Sequence, residues 1–63
     1  MRTFVLTLSV RGAGGLGEEI LHAQFRDERR AREFAATRLS ENPAIVSITI
    51  AEGGRELARL ERE

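Results

Sequence analysis

The fold is decided by residues 27 to 51, which read DERRAREFAATRLSENPAIVSITIA. The apolar residues in the first part of this stretch recur at helical spacing and share one side of a helix: Ala31, Phe34, Ala35 and Leu39. Apolar residues in the last part alternate with small or polar ones, as in a strand with one buried face: Val46, Ile48 and Ile50. The stretch therefore predicts a helix followed by a strand.

The limits of the helix are predicted from local signals. Asp27 is the expected N-cap, and Glu28 follows in the first turn, where a carboxylate meets the positive end of the helix dipole. Pro43 disfavours helical geometry at Asn42, so we expect the helix to end near Glu41. Opposite charges at helical spacing predict three ion pairs on the solvent-facing side: Glu28–Arg32, Arg29–Glu33 and Arg38–Glu41.

Two further strands are predicted before the helix. The first runs from Arg2 or Thr3 to Arg11, and alternation points the following residues inward: Phe4, Leu6, Leu8 and Val10. The second covers about Glu19 to Arg26 and buries Leu21, Ala23 and Phe25. Residues 12–17 between the two strands are rich in glycine and are expected to form a mobile loop without regular structure.

A hairpin is predicted at the end of the chain. The third strand spans about Ala44–Ala51, and the Gly-Gly pair at 53–54 can supply the positive φ angles of a tight turn. This turn signal favours a fourth strand over residues 55–62. Leu57 and Leu60 are three positions apart, so they require either a bulge in that strand or, as the alternative, a short C-terminal helix.

Together these elements predict a single small α+β domain over residues 1–63. The order is ββαββ, with a four-stranded antiparallel sheet in the order 2-1-3-4 and the helix packed on one face. We call the opposite side of the sheet the helix-free face. Alternation assigns to it mostly small and polar residues: Val5, Thr7, Ser9, Ile20, His22, Gln24, Ile45, Ser47 and Thr49.

Length and composition restrict the possible functions. A chain of 63 residues has only a thin core, with a net stability of roughly 3–5 kcal/mol, and such chains often gain further burial by association. Cysteine is absent, which excludes disulfides and thiolate chemistry. Ten basic residues balance ten acidic ones. Neither a membrane span nor a signal peptide is recognisable, so we expect a cytoplasmic protein that does not bind membranes.

Two motifs of possible chemical interest lack the partners they need. Gly12, Gly14 and Gly17 fit the dinucleotide-binding spacing G-x-G-x-x-G, but no acidic residue lies about 20 positions later at the end of a second strand. His22 is the only histidine, and its neighbours on the predicted strand, Ile20 and Gln24, cannot serve as catalytic partners or ligands. We therefore expect no catalytic residue, no cofactor, no metal and no enzymatic activity.

Two functional hypotheses remain. The first is a non-enzymatic interaction or structural module that forms a homodimer, or binds another protein, through a sheet edge or the helix-free face. Its candidate interface residues are Val5, Thr7, Ile20, His22, Ile45 and Ser47. The alternative is a nucleic-acid-associated accessory or regulatory protein whose candidate contacts are Arg26, Arg29 and Arg30.

The pattern also resembles that of small uncharacterised bacterial proteins of unknown function with a ββαββ arrangement. In them a polar or acidic cap opens an Ala- and Arg-rich helix, which ends at an Asn-Pro boundary before a strand, a glycine turn and a last strand. The corresponding features here are Asp27, the helix to Glu41, and the turn at 53–54. The resemblance implies a bacterial protein of this fold and no catalytic residue.

Overall fold

The computed structural model describes residues 1–62 and confirms the predicted order of elements. These are β1 (Arg2–Gly12), β2 (Gly15–Phe25), α1 (Glu28–Glu41), β3 (Ile45–Glu52) and β4 (Arg55–Glu61). All neighbouring strands are antiparallel, and the sheet order is β2-β1-β3-β4, as predicted. The helix packs on one face of this sheet, which gives the α+β architecture.

Both ends of α1 lie where the local signals placed them. Asp27 caps the helix, because its Oδ1 accepts a hydrogen bond from the backbone N–H of Arg30 at 3.0 Å. At the C-terminal end the backbone N–H of Asn42 donates to the carbonyl of Arg38 at 3.0 Å, and the helix ends at Glu41. Capping at both ends therefore sets the length of this helix.

The two sides of α1 have different roles. Ala31 and Ala35 face the sheet and are fully buried, and their small side chains let the helix lie close to the strands. On the solvent side Arg32 Nε lies 2.9 Å from Glu28 Oε2, which is one of the three predicted ion pairs. The other two do not form within residues 1–62.

The core lies between α1 and the two central strands. Its fully or almost fully buried side chains are Phe4, Leu6, Leu8, Ala31, Ala35, Ile45, Ile48 and Ile50. The edge strand β2 contributes Phe25 to this packing, and the ring centroid of Phe25 lies 6.0 Å from that of Phe4 and 5.2 Å from that of Phe34. Each fully buried large apolar side chain contributes about 1.5–3 kcal/mol, so these few residues supply most of the stability.

A bulge in β3 changes which residues face the core. Ser9 lies opposite Ser47, whereas Val10 lies opposite Ile45, so that Val46 is an extra residue without a partner on β1. Because the extra residue breaks the alternation, Ile45 points into the core and is 1% exposed. Val46 is half-buried and lies outside the core cluster, contrary to the inward position that alternation predicted.

A second bulge explains the spacing of the leucines in β4. The register shifts between Ile50 and Ala51, which lie opposite Ala58 and Glu56, and this leaves Leu57 as the extra residue. Both leucines of β4 are half-buried against the core. The bulged strand, and not the alternative helix, is therefore the structure of this segment.

The glycine-rich segment is more regular than predicted. β1 and β2 form a continuous ladder up to the pair Gly12–Gly15, and only Ala13 and Gly14 form the turn. Glycine has a low strand propensity, but ladder pairing gives the backbone of β1 hydrogen-bond partners and outweighs it. The prediction of a loop over residues 12–17 was thus wrong, and β2 begins at Gly15 instead of Glu19.

The turn between β3 and β4 agrees with the prediction. Gly53 and Gly54 have φ angles of 59° and 79°, which is the left-handed region that a type I′ hairpin requires at both central positions. Within residues 1–62 no helix combines the length and the apolar character that a membrane crossing requires.

Candidate interaction surface

The helix-free face brings five of the six candidate interface residues together. Val5 of β1 lies opposite His22 of β2, and Thr7 lies opposite Ile20, so these four side chains form two adjacent rows. Ser47 of the central strand β3 continues the same face opposite Ser9 and is only 8% exposed. Ile20 is the prominent apolar residue of this surface, with 66% of its surface exposed.

Ile45, the sixth candidate, does not lie on this face. The bulge at Val46 turns Ile45 to the helix side of the sheet, where it belongs to the core cluster. Its assignment to the interface was wrong because strict alternation was assumed throughout β3. The bulge depends on pairing with β1, and alternation within β3 does not reveal it.

The edge formed by β2 has few of the features that protect strand edges. This strand is 11 residues long, its register with β1 is unbroken from Gly15 to Phe25, and it contains no proline, lysine or arginine. Leu16 and Ile20 expose 69% and 66% of their surfaces beside it. A long, straight edge with exposed apolar side chains is a template for pairing with another strand. We call this surface the β2 edge.

The edge formed by β4 is better protected. It is seven residues long, it is bent by the bulge at Leu57, and four of its residues are charged: Arg55, Glu56, Arg59 and Glu61. Arg59 Nε lies 3.6 Å from Glu61 Oε1 along this strand. Short length, a bulge and charges are the features by which natural proteins block edge pairing. The two edges of the sheet therefore differ in their capacity for self-association.

Arg62, just after β4, connects the end of the sheet to the end of the helix. Its guanidinium donates hydrogen bonds to the backbone carbonyls of Leu39, Asn42 and Ile45, the last two at 3.0 and 3.1 Å. A guanidinium can make several such bonds at once because its five N–H groups point in fixed directions. Positive charge is also favourable at this negative end of the helix dipole. Sequence analysis did not predict this contact, since it joins segments far apart in the chain.

The candidate nucleic-acid contacts lie around the start of α1 and are exposed. Arg26 and Arg30 line a cleft of about 270 Å³ beside the end of β2. Arg29 and Arg30 line a second cleft of about 350 Å³, which also contains Asp27 and Glu33. None of the three arginines belongs to an ion pair within residues 1–62. The structure brings them together, but it places acidic side chains among them.

A shallow groove between α1 and β4 was not predicted from the sequence. Its volume is about 430 Å³, and its lining includes Arg32, Ala36, Ala58 and Leu60. Three of these side chains are apolar, while the guanidinium of Arg32 is already paired with Glu28. Arg29, Glu33 and Arg59 complete the lining, so the groove combines apolar side chains with charges of both signs.

The closest ion pair of the structure has a structural role. Arg2 donates to Glu52 through Nη2 at 2.5 Å and through Nε at 2.8 Å, and thereby joins the start of β1 to the end of β3. The hydrogen bond from Arg2 holds the pKa of the Glu52 carboxyl below its ordinary value, and the same bond raises the pKa of Arg2. Each charge satisfies the other, so this pair provides no free acid or base.

Neither a metal-binding cluster nor a known relative points to a particular chemistry for the described part of the chain. Among residues 1–62 no three His, Asp or Glu side chains lie close enough together to hold a metal ion. Comparison of the chain with protein-family models, with curated proteins and with solved structures finds no significant match. The unequal strand edges and the helix-free face are therefore the features from which a function can be argued.

Proposed function

We propose that this protein is a small, cytoplasmic, non-enzymatic interaction module that forms a homodimer through the β2 edge. The observation that carries the proposal is the contrast between the two edges: β2 is long and unbroken, whereas β4 is short, bulged and charged. The other surface through which two copies could associate is the helix-free face.

The thin core supports self-association. Eight residues form the buried apolar core of the described chain, and the half of β2 from Gly15 to Ile20 is exposed along its whole length. Pairing of a second copy along β2 gives partners to the free backbone N–H and C=O groups of this strand and covers Ile20. Association would therefore bury part of β2 that is exposed in the monomer.

Sedimentation velocity over a range from about 10 to 500 μM tests the proposal, because a weak dimer with a dissociation constant in the micromolar range changes its apparent mass within that range. We expect the weight-average mass to rise toward twice the 7.0 kDa of the chain. A mass that stays at the monomer value at every concentration refutes the proposal.

A substitution on the helix-free face distinguishes this face from the edge. Thr49 lies in the middle of this face, opposite Thr7. Thr49→Arg places a long charged side chain where two sheets would have to stack, but it leaves the β2 edge open. We expect the dissociation constant of this variant to equal that of the wild type. A dimer lost on this substitution would show stacking of the helix-free faces instead.

The alternative proposal is a nucleic-acid-associated accessory role for Arg26, Arg29 and Arg30. It is supported by their exposure and by the absence of ion pairs to them within residues 1–62. Titration with double-stranded DNA and with RNA at about 50 mM salt tests it, since phosphate contacts are strongest at low salt. Binding that disappears in Arg29→Glu supports this role, and no binding at this salt concentration refutes it.

A further inference from the structure

We infer that two copies of this chain pair antiparallel along β2 in the register that places Glu18 of each copy opposite Arg26 of the other. This inference rests on the proposed self-association and specifies its surface and register. It starts from the distribution of charge along the strand. Glu18 and Glu19 lie toward the hairpin end of β2, and Arg26 directly follows its other end.

A two-fold axis makes this charge distribution self-complementary. Two identical edges can form a closed antiparallel pair only when the axis is perpendicular to the sheet, so that each strand runs opposite to its copy. The acidic end of one β2 then meets the basic end of the other, and this happens twice in each dimer. Glu18 and Arg26 are both exposed, so the pairing requires no burial of an unpaired charge.

The same register continues the apolar layer across the seam. It places His22 on the two-fold axis opposite its own copy, and it places Leu21 of each chain opposite Ala23 of the other. Leu21 and Ala23 lie on the helix side of β2 and are half-buried against the core. Both helices lie on the same side of the resulting eight-stranded sheet, and the two cores meet where Leu21 and Ala23 of the two copies pair.

Neighbouring registers are less favourable. A two-fold axis at Leu21 places Glu18 opposite Gln24, and Arg26 then has no acidic residue opposite it. An axis at Ala23 places Arg26 opposite Ile20, so Arg26 again has no acidic residue opposite it, and Glu18 has no strand residue opposite it because the chain enters α1 at Glu28. Since opposite charges directly across from one another are stabilising, the register centred on His22 is the one of these three that the charges select.

Reversing each charge separately, and then both charges together, tests this register. Glu18→Arg and Arg26→Glu are each expected to raise the dimer dissociation constant about tenfold or more, because each removes two attractions and creates two repulsions. The double variant exchanges the charges and restores the attraction, so its dissociation constant should return to within about threefold of the wild type. Arg59→Glu makes the same reversal on the β4 edge and should leave the dissociation constant unchanged. Circular dichroism of each variant verifies that it is folded.

The outcomes separate this inference from the proposed function. A wild-type chain that remains monomeric overturns both. A dimer whose dissociation constant is unaffected by either reversal overturns the register and leaves self-association standing. The register is also overturned if both single variants dimerise more weakly and the double variant does not regain the wild-type dissociation constant, because Glu18 and Arg26 then do not oppose each other. Recovery in the double variant, with Arg59→Glu unchanged, supports it.

Discussion

Ile45 and Val46 are adjacent apolar residues in β3, and the bulge predicts that their truncation has very different effects. Ile45 is 1% exposed within the core, whereas Val46 is half-buried outside it. Strict alternation predicts the opposite order, with Val46 inside and Ile45 on the helix-free face. The free energies of unfolding of Ile45→Ala and Val46→Ala therefore test the register of the central sheet directly.

The expected magnitudes follow from the two environments. Removing a buried isoleucine side chain to alanine costs about 2–5 kcal/mol, because the lost burial is accompanied by a cavity. Val46→Ala removes two carbon groups worth about 0.8 kcal/mol each when fully buried, so at half burial we expect a cost of about 0.8 kcal/mol. The Ile45→Ala variant thus loses most of a total stability of roughly 3–5 kcal/mol.

Urea unfolding followed by circular dichroism measures both costs, at a protein concentration where the chain is monomeric. Ile45→Val is included because it removes a single carbon group, costs about 0.5–1.5 kcal/mol and leaves a folded population to measure. We expect the unfolding midpoint to fall far more for Ile45→Ala than for Val46→Ala, with similar slopes. A larger loss for Val46→Ala would refute the bulge and restore an alternating register.

Substitutions at four further positions have defined outcomes. Arg62→Ala removes the charged hydrogen bonds to three backbone carbonyls and is expected to cost about 1–2 kcal/mol in thermal unfolding, while Arg62→Lys recovers only part of the loss. The lowered pKa of Glu52 means that its pairing with Arg2 contributes stability above the pKa of the unfolded carboxyl, and this contribution is lost as the pH falls through the folded pKa. The Glu52→Gln variant should therefore show a smaller decrease in melting temperature than the wild type between neutral pH and about pH 3. Gly54→Ala strains a residue with φ of 79° and is expected to destabilise by about 1 kcal/mol or more, whereas Gly17→Ala meets no neighbouring atom and no positive φ and should stabilise by about 0.4–1 kcal/mol in urea unfolding.

The features of the fold that sequence predicted correctly depend on short-range signals. Asp27 acts on a backbone N–H three residues away, and proline acts on the residue before it, so both helix ends can be placed from neighbours alone. The Gly-Gly turn is equally local. Once these boundaries were fixed, the rule that the crossover from β2 through the helix to β3 is right-handed left few topologies, and the order 2-1-3-4 followed.

Sequence analysis gave the wrong register for β3 and the wrong start for β2, and both features depend on residues far apart in the chain. In residues 45–48, apolar side chains occupy both odd and even positions. Alternation alone therefore does not determine whether Ile45 or Val46 faces the core. Pairing with β1, more than thirty residues earlier, decides it. Similarly, glycine content suggested a loop where the long ladder of β1 imposes a strand.

The assignment of the candidate interface residues also depended on strand register. Its residues were assigned by alternation, so the one bulge within the assigned strands removed Ile45 and left the other five in place. The contact of Arg62 with the helix end and the groove beside β4 depend on tertiary packing and had no counterpart in the sequence pattern. The order of charges along β2 acquires meaning only when the strand is known to be an edge.

The weakest part of the monomer and the proposed interface are the same segment. Between Gly15 and Ile20 no side chain of β2 belongs to the core or packs against it, so the ladder with β1 alone holds this half of the hairpin in place. Backbone hydrogen bonds exposed to solvent open at low cost, and this half is therefore the first to fray in an isolated chain. The proposed pairing along β2 would make it an interior strand from Glu18 onward, with partners on both sides. The proposed association would thus stabilise residues 18–20 of the segment that the thin core leaves without support, which is why we assign the interface to this edge and not to the bulged, charged edge of β4.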